Sequence, residues 1–365
     1  MTTCSENARP VSTLSFLLTY RCPISCQHCL IDAGPRRKEK MALGSVLGWI
    51  DDTVAYRGGA IRNIELTGGE PFYDLQNLAL VSDHAQQGGL SVSVETNAGW
   101  AETLEQAILT LNQLPAIDNI SLSTGIHHQQ FIPISHIRNA IIAAKLLGRR
   151  YDVTMVTECE QDEKYRSVRQ QLEQVVESSR IRCIATYPAG RAKNPDSGIR
   201  IRTSGEAAEK PCISPFKPLI LPDGRVMACS GPVHQFRKSS CPLCLGNLRK
   251  EPLEAVLDRA ADSRLLHLIW SWGPHRMASI LSSYGHEGLL PEEYVFGSPC
   301  DICNKLLSDR YLVSRLEGLL DDPANRRHLP HLQMLQLNSE EMRRQCMKAD
   351  EAIFNPATIM LEHES

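Results

Sequence analysis

Apolar, often β-branched runs alternate with amphipathic stretches along the first half of the chain, and the alternation predicts strands and helices in turn. "STLSFLLTY" (12–20), "IRNIELTGG" (61–69), "LSVSVETN" (90–97), "AIDNISLST" (116–124), "YDVTMVTE" (151–158) and "RIRCIATYP" (180–188) read as strands. Between them, "ALGSVLGWIDDTVAYRG", "DLQNLALVSDHAQQGG", "AETLEQAILTLNQL", "ISHIRNAIIAAKLLGRR" and "DEKYRSVRQQLEQVVESS" read as helices. The second stops at Gly-Gly and the third near Pro115, both ordinary stop signals. Past residue 190 the pattern breaks. "RAKNPDSGIRIRTSGEAAEKP" is polar and Gly/Pro-bearing and reads as a linker. "LPDGRVMAC" puts Asp-Gly between apolar runs, a hairpin signal. "EPLEAVLDRAADSRLLHLIW" reads as helical, and the last thirty or so residues as a charged helical tail.

Six β/α units in series predict an α/β fold with a parallel sheet or partial barrel. In such folds chemistry sits at the C-terminal ends of the strands, where the loops emerge. The unusual loops do follow strands: three cysteines after the first, "TGGEP" after the second, "ETNAGW" after the third.

A chain of 365 residues is long enough for one large and one smaller domain. With 42% hydrophobic and 22% charged residues it has a globular composition. A net charge of -3 gives no basic field for nucleic acid, and "GPRRKEK" and "LLGRR" read as solvated turns or helix ends. No signal-like h-region or membrane-length apolar run is present, so a cytoplasmic protein is expected. Thirteen cysteines are many for that compartment and point to metal or redox chemistry rather than disulfides.

Cys22, Cys26 and Cys29 have the spacing C-x3-C-x2-C, with no fourth cysteine nearby. Three thiolates from one loop suit three corners of a [4Fe–4S] cluster. Zinc, with His28 alongside, and chance clustering are the alternatives. "TGGEP", residues 67 to 71, brings two glycines and Glu70 to the end of the next strand.

This combination resembles the radical S-adenosylmethionine (SAM) superfamily. The resemblance implies that the iron without a protein ligand is chelated by SAM. It further implies cleavage of SAM to a 5′-deoxyadenosyl radical that takes a hydrogen atom from the substrate. Gly68, Gly69 and Glu70 would meet the SAM amino group. His28 would pack near adenine, the alternative being a solvated loop residue. Asn97, Ser121 and Ser123 would meet ribose or carboxylate, although many relatives carry Ser-x-Asp where this chain has "SLST". Asn97 could instead cap the following helix. Arg191, in "PAGRA", would face SAM or the substrate, or pair with a surface carboxylate.

Cys212-x11-Gly224-x4-Cys229, followed by Cys300-x2-Cys303, resembles the twitch or SPASM auxiliary domain of some relatives, and implies an auxiliary [4Fe–4S] cluster on those four thiols. Cys241 and Cys244 do not continue the full pattern. They would join Cys300 and Cys303, serve a second, incompletely ligated cluster, or form a redox pair. Cys159 and Cys183 are expected in the core of strands five and six; Cys4 and Cys346 are assigned nothing. His127 and His128 read as loop residues with surface hydrogen bonds, or as pocket-lining groups, and "WSWGPH" as helix packing.

The expected architecture is a partial (β/α)6 TIM-type barrel over 10–190, an auxiliary iron–sulfur domain over 205–310 and a helical tail over 311–365. The expected function is radical SAM modification of a ribosomal peptide or protein, by cross-linking or oxidation. Dehydrogenation of a small molecule is the second reading, and a non-catalytic metal-binding scaffold the third. Flavodoxin or ferredoxin would donate electrons. Cys22 falls too early for a preceding peptide-recognition domain, so a separate recognition protein is expected with a peptide substrate. No catalytic acid or base is identified from the sequence.

Overall fold

Successive strand residues point to opposite sides of a sheet, and here the two sets differ sharply in chemistry. The computed structural model describes residues 11–205, 212, 214–215, 217–231 and 241–323. Its first half runs β1 (Thr13–Thr19), α1 (Leu43–Ala55), β2 (Asn63–Gly68), α2 (Leu75–Gln87), β3 (Ser91–Thr96), α3 (Leu104–Asn112), β4 (Asn119–Thr124), α4 (Ile134–Leu146), β5 (Arg150–Thr157), α5 (Glu163–Leu172) and β6 (Ile181–Ala185). These six strands lie in chain order and pair parallel, the arrangement of a partial barrel. Ile64, Leu66, Val92, Val94, Ile120, Leu122 and Val153 are wholly buried in one hydrophobic core. The opposite set is polar. Ser15 donates to Glu65 (2.9 Å), Thr67 to Glu95 (2.7 Å) and Ser121 to Asp152 (2.8 Å), so neighbouring strands are laced by side chains as well as backbone.

The helices carry readable punctuation. Asp74, Thr103 and Asp162 accept from backbone N–H groups at the starts of α2, α3 and α5. Arg149 donates to the carbonyls of Leu111, Leu114 and Ile117, which closes the end of α3 and the turn after it. The expected fifth helix is shortened. It ends at Leu172, and Lys145 Nζ instead binds the Val175 carbonyl at 2.9 Å.

Beyond residue 190 the chain is more structured than a linker. β7 (Thr203–Ser204) pairs with a strand some ninety residues later, numbered below. β8 (Leu219–Ile220) and β9 (Arg225–Met227) form the Asp-Gly hairpin, and β10 (Cys244–Asn247), which sequence pattern did not reveal, adds a third antiparallel strand. β8 also pairs parallel with β1, Ser15 opposite Leu219 and Phe16 opposite Ile220. The result is one nine-stranded sheet ordered β10-β9-β8-β1-β2-β3-β4-β5-β6. The composition change near residue 190 is therefore not a break in the sheet.

The stretch read as helical over 251–270 forms two helices, α6 (Leu253–Ala261) and α7 (Arg264–Ser271). Ser263 causes the break by capping Leu266 N–H with its side chain. α8 (Gly273–Leu281), β11 (Tyr294–Val295), the partner of β7, α9 (Pro299–Ser308) and α10 (Arg310–Gly318) complete the described chain. Asp258 of α6 accepts from Tyr56 (2.9 Å) and pairs with Arg57 (2.7 Å), joining these helices to the barrel side. Most of the expected tail, with Cys4 and Cys346, lies outside the described residues. Cys159 is not a core residue, whereas Cys183 packs against the core from a partly buried position. Cys159 lies past the end of β5, half-buried, with its sulfur accepting from Arg202 (2.9 Å), and Cys183 is half-buried on β6.

Trp270 is wholly buried in α7, consistent with reading "WSWGPH" as packing. Trp270→Ala should destabilise the protein by about 3–5 kcal/mol, seen as a lower urea midpoint.

Candidate active site

The three-cysteine loop leaves β1 at the C-terminal edge of the sheet, and its backbone is held from behind. Cys22 N–H donates to Gly34 (3.3 Å) and Gly34 N–H to Tyr20 (3.2 Å). Arg191, arriving after β6, donates to the carbonyls of Cys26 (2.6 Å) and Ala33 and pairs with Asp32 (3.0 Å). Its own N–H bonds the Cys29 carbonyl at 3.0 Å. Gly190 lies against the Cys29 and Leu30 carbonyls with φ +56, where a Cβ has no room. "PAGRA" is thus a clamp on the cysteine loop.

Cys22 and Cys26 are buried, and burial pushes both thiols up to about 12. A neutral thiol in such a place gives up its proton when a cation binds its sulfur. Cys29 is half-buried, its sulfur accepting from Ala33 N–H (3.2 Å). Among the described residues no three His, Cys, Asp or Glu side chains are gathered at the spacing of a bound ion. The fit to a cluster therefore rests on the donor set, three soft ligands on one loop.

Gly68 and Gly69 do allow a close approach, but to the protein's own backbone. A Cβ on Gly68 would lie 2.5 Å from the Thr19 carbonyl oxygen, and one on Gly69 would strike the Arg21 carbonyl. Gly69 and Glu70 N–H bond Thr19 (2.6 Å) and Arg21 (2.9 Å), lacing this turn to the start of the cysteine loop. Glu70, 3% exposed, accepts from Phe72 N–H (3.1 Å) and Thr96 Oγ1 (2.8 Å) on one oxygen and from Asn97 N–H (2.8 Å) on the other. Burial raises it to about 7 against the pull of those bonds. Asn97 does not cap α3, a task Thr103 performs. Its Nδ2 instead lies 3.5 Å from Cys22 Sγ and its Oδ1 accepts from Gly99 N–H (2.9 Å). Ser121 is committed to Asp152, and Ser123 is half-buried one step along β4.

Histidines form a group that sequence reading missed. His28 has its ring centroid 5.2 Å from that of His127 and 4.6 Å from that of His128. His127 is buried, not a surface loop residue, and its Nε2 meets Glu158 Oε1 at 2.6 Å. Nδ1 of each ring is buried with no partner among the described residues. Burial holds His128 down to about 4. "GIHHQQF" carried the signal in the sequence, but nothing local tied it to His28 or Glu158.

Of the second group of thiols, Cys229 after β9 and Cys300 at the start of α9 lie near one another. Cys300 and Cys303 are one turn apart on α9 and so share a helix face. A Cβ placed on Gly231 would lie 3.6 Å from Cys229 Sγ and 3.8 Å from Cys300 Sγ. Cys303 is pushed well up by burial and then by the sulfurs of Cys212, Cys229, Cys300 and Cys241. Cys244 faces Arg225, Asp223 and Glu251.

Residues 16–126 match the family model of the radical SAM superfamily. This supports SAM-dependent radical chemistry with a [4Fe–4S] cluster. No curated protein matches. Among solved structures, one similar to the chain is BtrN in complex with AdoMet and 2-DOIA, at 11% identity over 72% of this chain and 88% of that one, with TM-score 0.39. Another is methylornithine synthase (PylB), at 14% identity over 52% of this chain and 58% of that one, also with TM-score 0.39. No described helix is long and apolar enough to cross a membrane.

Glu70→Gln turns an amide N–H toward a donor whichever way it is placed, and should cost about 1–3 kcal/mol in a urea melt. An unfolded histidine takes its proton near pH 6.5, whereas His128 in the fold does so at about 4. Its contribution to stability is therefore full above about pH 6.5 and is lost as pH falls toward about 4. Urea midpoints measured across that window should fall on acidification, and His128→Gln should shrink the fall.

Proposed function

We propose that this protein is a radical SAM enzyme that removes a hydrogen atom from a ribosomal peptide or protein, leading to a cross-link or an oxidised side chain. The observation that carries the chemistry is the cysteine loop: three thiols on one side, and on the other a backbone tied down by Arg191. Cys22, Cys26 and Cys29 would hold three irons of a [4Fe–4S] cluster. A cluster held there would supply the one electron that splits SAM into methionine and a 5′-deoxyadenosyl radical.

His28 would wall the adenine, with His127 and His128 behind it. Gly68, Gly69 and Glu70 would shape the side facing the SAM amino group; since Glu70 is satisfied by protein donors, backbone groups of this turn are the ones left to make the contact. Asn97 would hold the cluster side through Cys22, and Ser121 and Ser123 the ribose side. Cys212, Cys229, Cys300 and Cys303 form a donor set suited to an auxiliary [4Fe–4S] cluster of the twitch or SPASM kind.

The peptide reading is supported by β6. Among the described residues it pairs on one side, with β5, and its Ile184 is 42% exposed. An extended peptide can add to such an edge. A cytoplasmic flavodoxin or ferredoxin would serve as electron donor, and a separate recognition protein would deliver the peptide. Dehydrogenation of a small molecule is the second reading. The observation favouring it is His127. If its Nε2–H is donated to Glu158, Nδ1 is left with a buried lone pair able to accept a proton.

Anaerobic reconstitution with iron and sulfide should give about eight irons per chain, four for each cluster. SAM and reductant should then release 5′-deoxyadenosine. Replacing Cys22, Cys26 and Cys29 together by Ala should abolish release, while Cys300→Ala with Cys303→Ala should halve the iron and spare uncoupled cleavage. Zinc in place of iron, or no cleavage, sinks the enzyme reading. A precursor peptide encoded beside this gene should lose hydrogen on incubation, read by mass spectrometry; an unchanged peptide counts for the small-molecule reading.

A further inference from the structure

The polar face of the barrel strands, turned away from the helices, carries carboxylates that nothing in the fold neutralises. We propose that this inner face binds the substrate by an alkylammonium arm, either a lysine side chain or a free amine. The inference deepens the function proposed above and rests on it in one respect, that substrate meets the radical inside the barrel.

Strand register sets the acids side by side. Glu65 lies opposite Ser93, Glu95 opposite Ser121, and Ser121 opposite Asp152. Glu95 and Asp152 therefore flank Ser121 in one row, with backbones two strand spacings, about 10 Å, apart. Glu65, Glu95 and Asp152 are half-buried. Each accepts from hydroxyl on one oxygen, and among the described residues none makes an ion pair. Glu65 Oε1, Glu95 Oε1 and Asp152 Oδ1 are left without donors. Burial, and then the charge of Glu65, hold the Glu95 carboxyl above its ordinary range, as befits a carboxylate short of a counter-ion. Two guanidiniums share this side of the strands. Arg182 binds Thr154 Oγ1 at 3.0 Å, and Arg150 is turned to Ser91 (3.3 Å) at the far end.

A second observation lies toward the mouth of the barrel. Thr186 N–H bonds the Thr157 carbonyl (2.8 Å), so the β5–β6 ladder runs on and places Thr186 on the same side as Arg182. Thr186 is 4% exposed, and its Oγ1 is buried with no partner among the described residues. Glu158 continues the alternation of Asp152 and Thr154, and its partner His127, 7% exposed, has Nδ1 in the same condition. Buried polar atoms are ordinarily paired, so two orphans at the mouth of an acidic face point to a ligand. Between mouth and acids, Val156 lies opposite Ile184 on the same side. Hydrocarbon above and carboxylate below suit a methylene stem that ends in an ammonium.

The test is equilibrium dialysis of the full chain, with and without iron and sulfide, against n-butylammonium, n-butanol and butyrate. Butylammonium should bind saturably, and butanol and butyrate about tenfold or more weaker. Glu95→Gln and Asp152→Asn should each weaken butylammonium about tenfold, while Glu105→Gln, on the outer surface, should not. Far-UV circular dichroism checks that the variants fold. Arg182→Leu removes a cation from an exposed position and should tighten binding, an effect that lost structure does not produce. Equal binding of butanol, full affinity in both carboxylate variants, or no tightening in Arg182→Leu overturns the proposal. A blocked Gly-Gly-Lys-Gly-Gly peptide separates the sources: binding as strong as butylammonium assigns the arm to a lysine side chain, and butylammonium alone to a free amine. Dialysis needs no cluster, so failure to bind is distinct from failure to hold iron or release 5′-deoxyadenosine.

Discussion

A short loop that carries three cysteines within one buried turn of chain must still satisfy its backbone. Buried carbonyls without donors cost more than most single contacts return. Here the Cys26, Cys29 and Ala33 carbonyls are all met from the segment after β6, through Arg191 and its N–H. The turn after β2 meets the start of the same loop from the opposite flank, and Asn97 approaches Cys22 from β3. The cysteine loop is therefore fixed by the first, second, third and last strands of the barrel together. Each of those contacts requires the strands to be in register.

That dependence explains the polar choices around it. Glu70 is a carboxylate placed in the core, which burial alone would forbid. It is tolerated because three donors from two neighbouring elements converge on it. The residue's job in the fold is to bind β2 to the end of β3, and the glycines before it exist because the backbones they join are nearly in contact. What resembles a ligand-binding motif is first a joint.

Strands and the cysteine loop were legible because their signals are local. Period-two alternation marks β2, β3 and β4 within three residues of their ends, and C-x3-C-x2-C needs no partner to be seen. Break points were less legible. Ser263 sits inside an unbroken amphipathic run and stops it by one side-chain bond. Least legible were meetings between distant segments. Arg191 on Cys26, His28 beside His128 and Cys229 near Cys300 each join residues between about seventy and one hundred and sixty-five positions apart. No spacing rule reaches that far. The adjacency of His127 and His128 suggested diverging side chains, yet both rings lie near a third that comes from another loop.

The pairing of β8 with β1 bears on how the chain is made. β1 is made well before the strand that covers its outer edge, which follows some two hundred residues later in the chain. Until then the growing chain carries an open strand edge, the kind of surface on which chains join one another. The cysteine-rich half is therefore also the cover that completes the barrel's sheet. A chain cut where the composition changes, near residue 190, would keep every cysteine of the first loop and still be a different object: a sheet with an interior strand made into an edge.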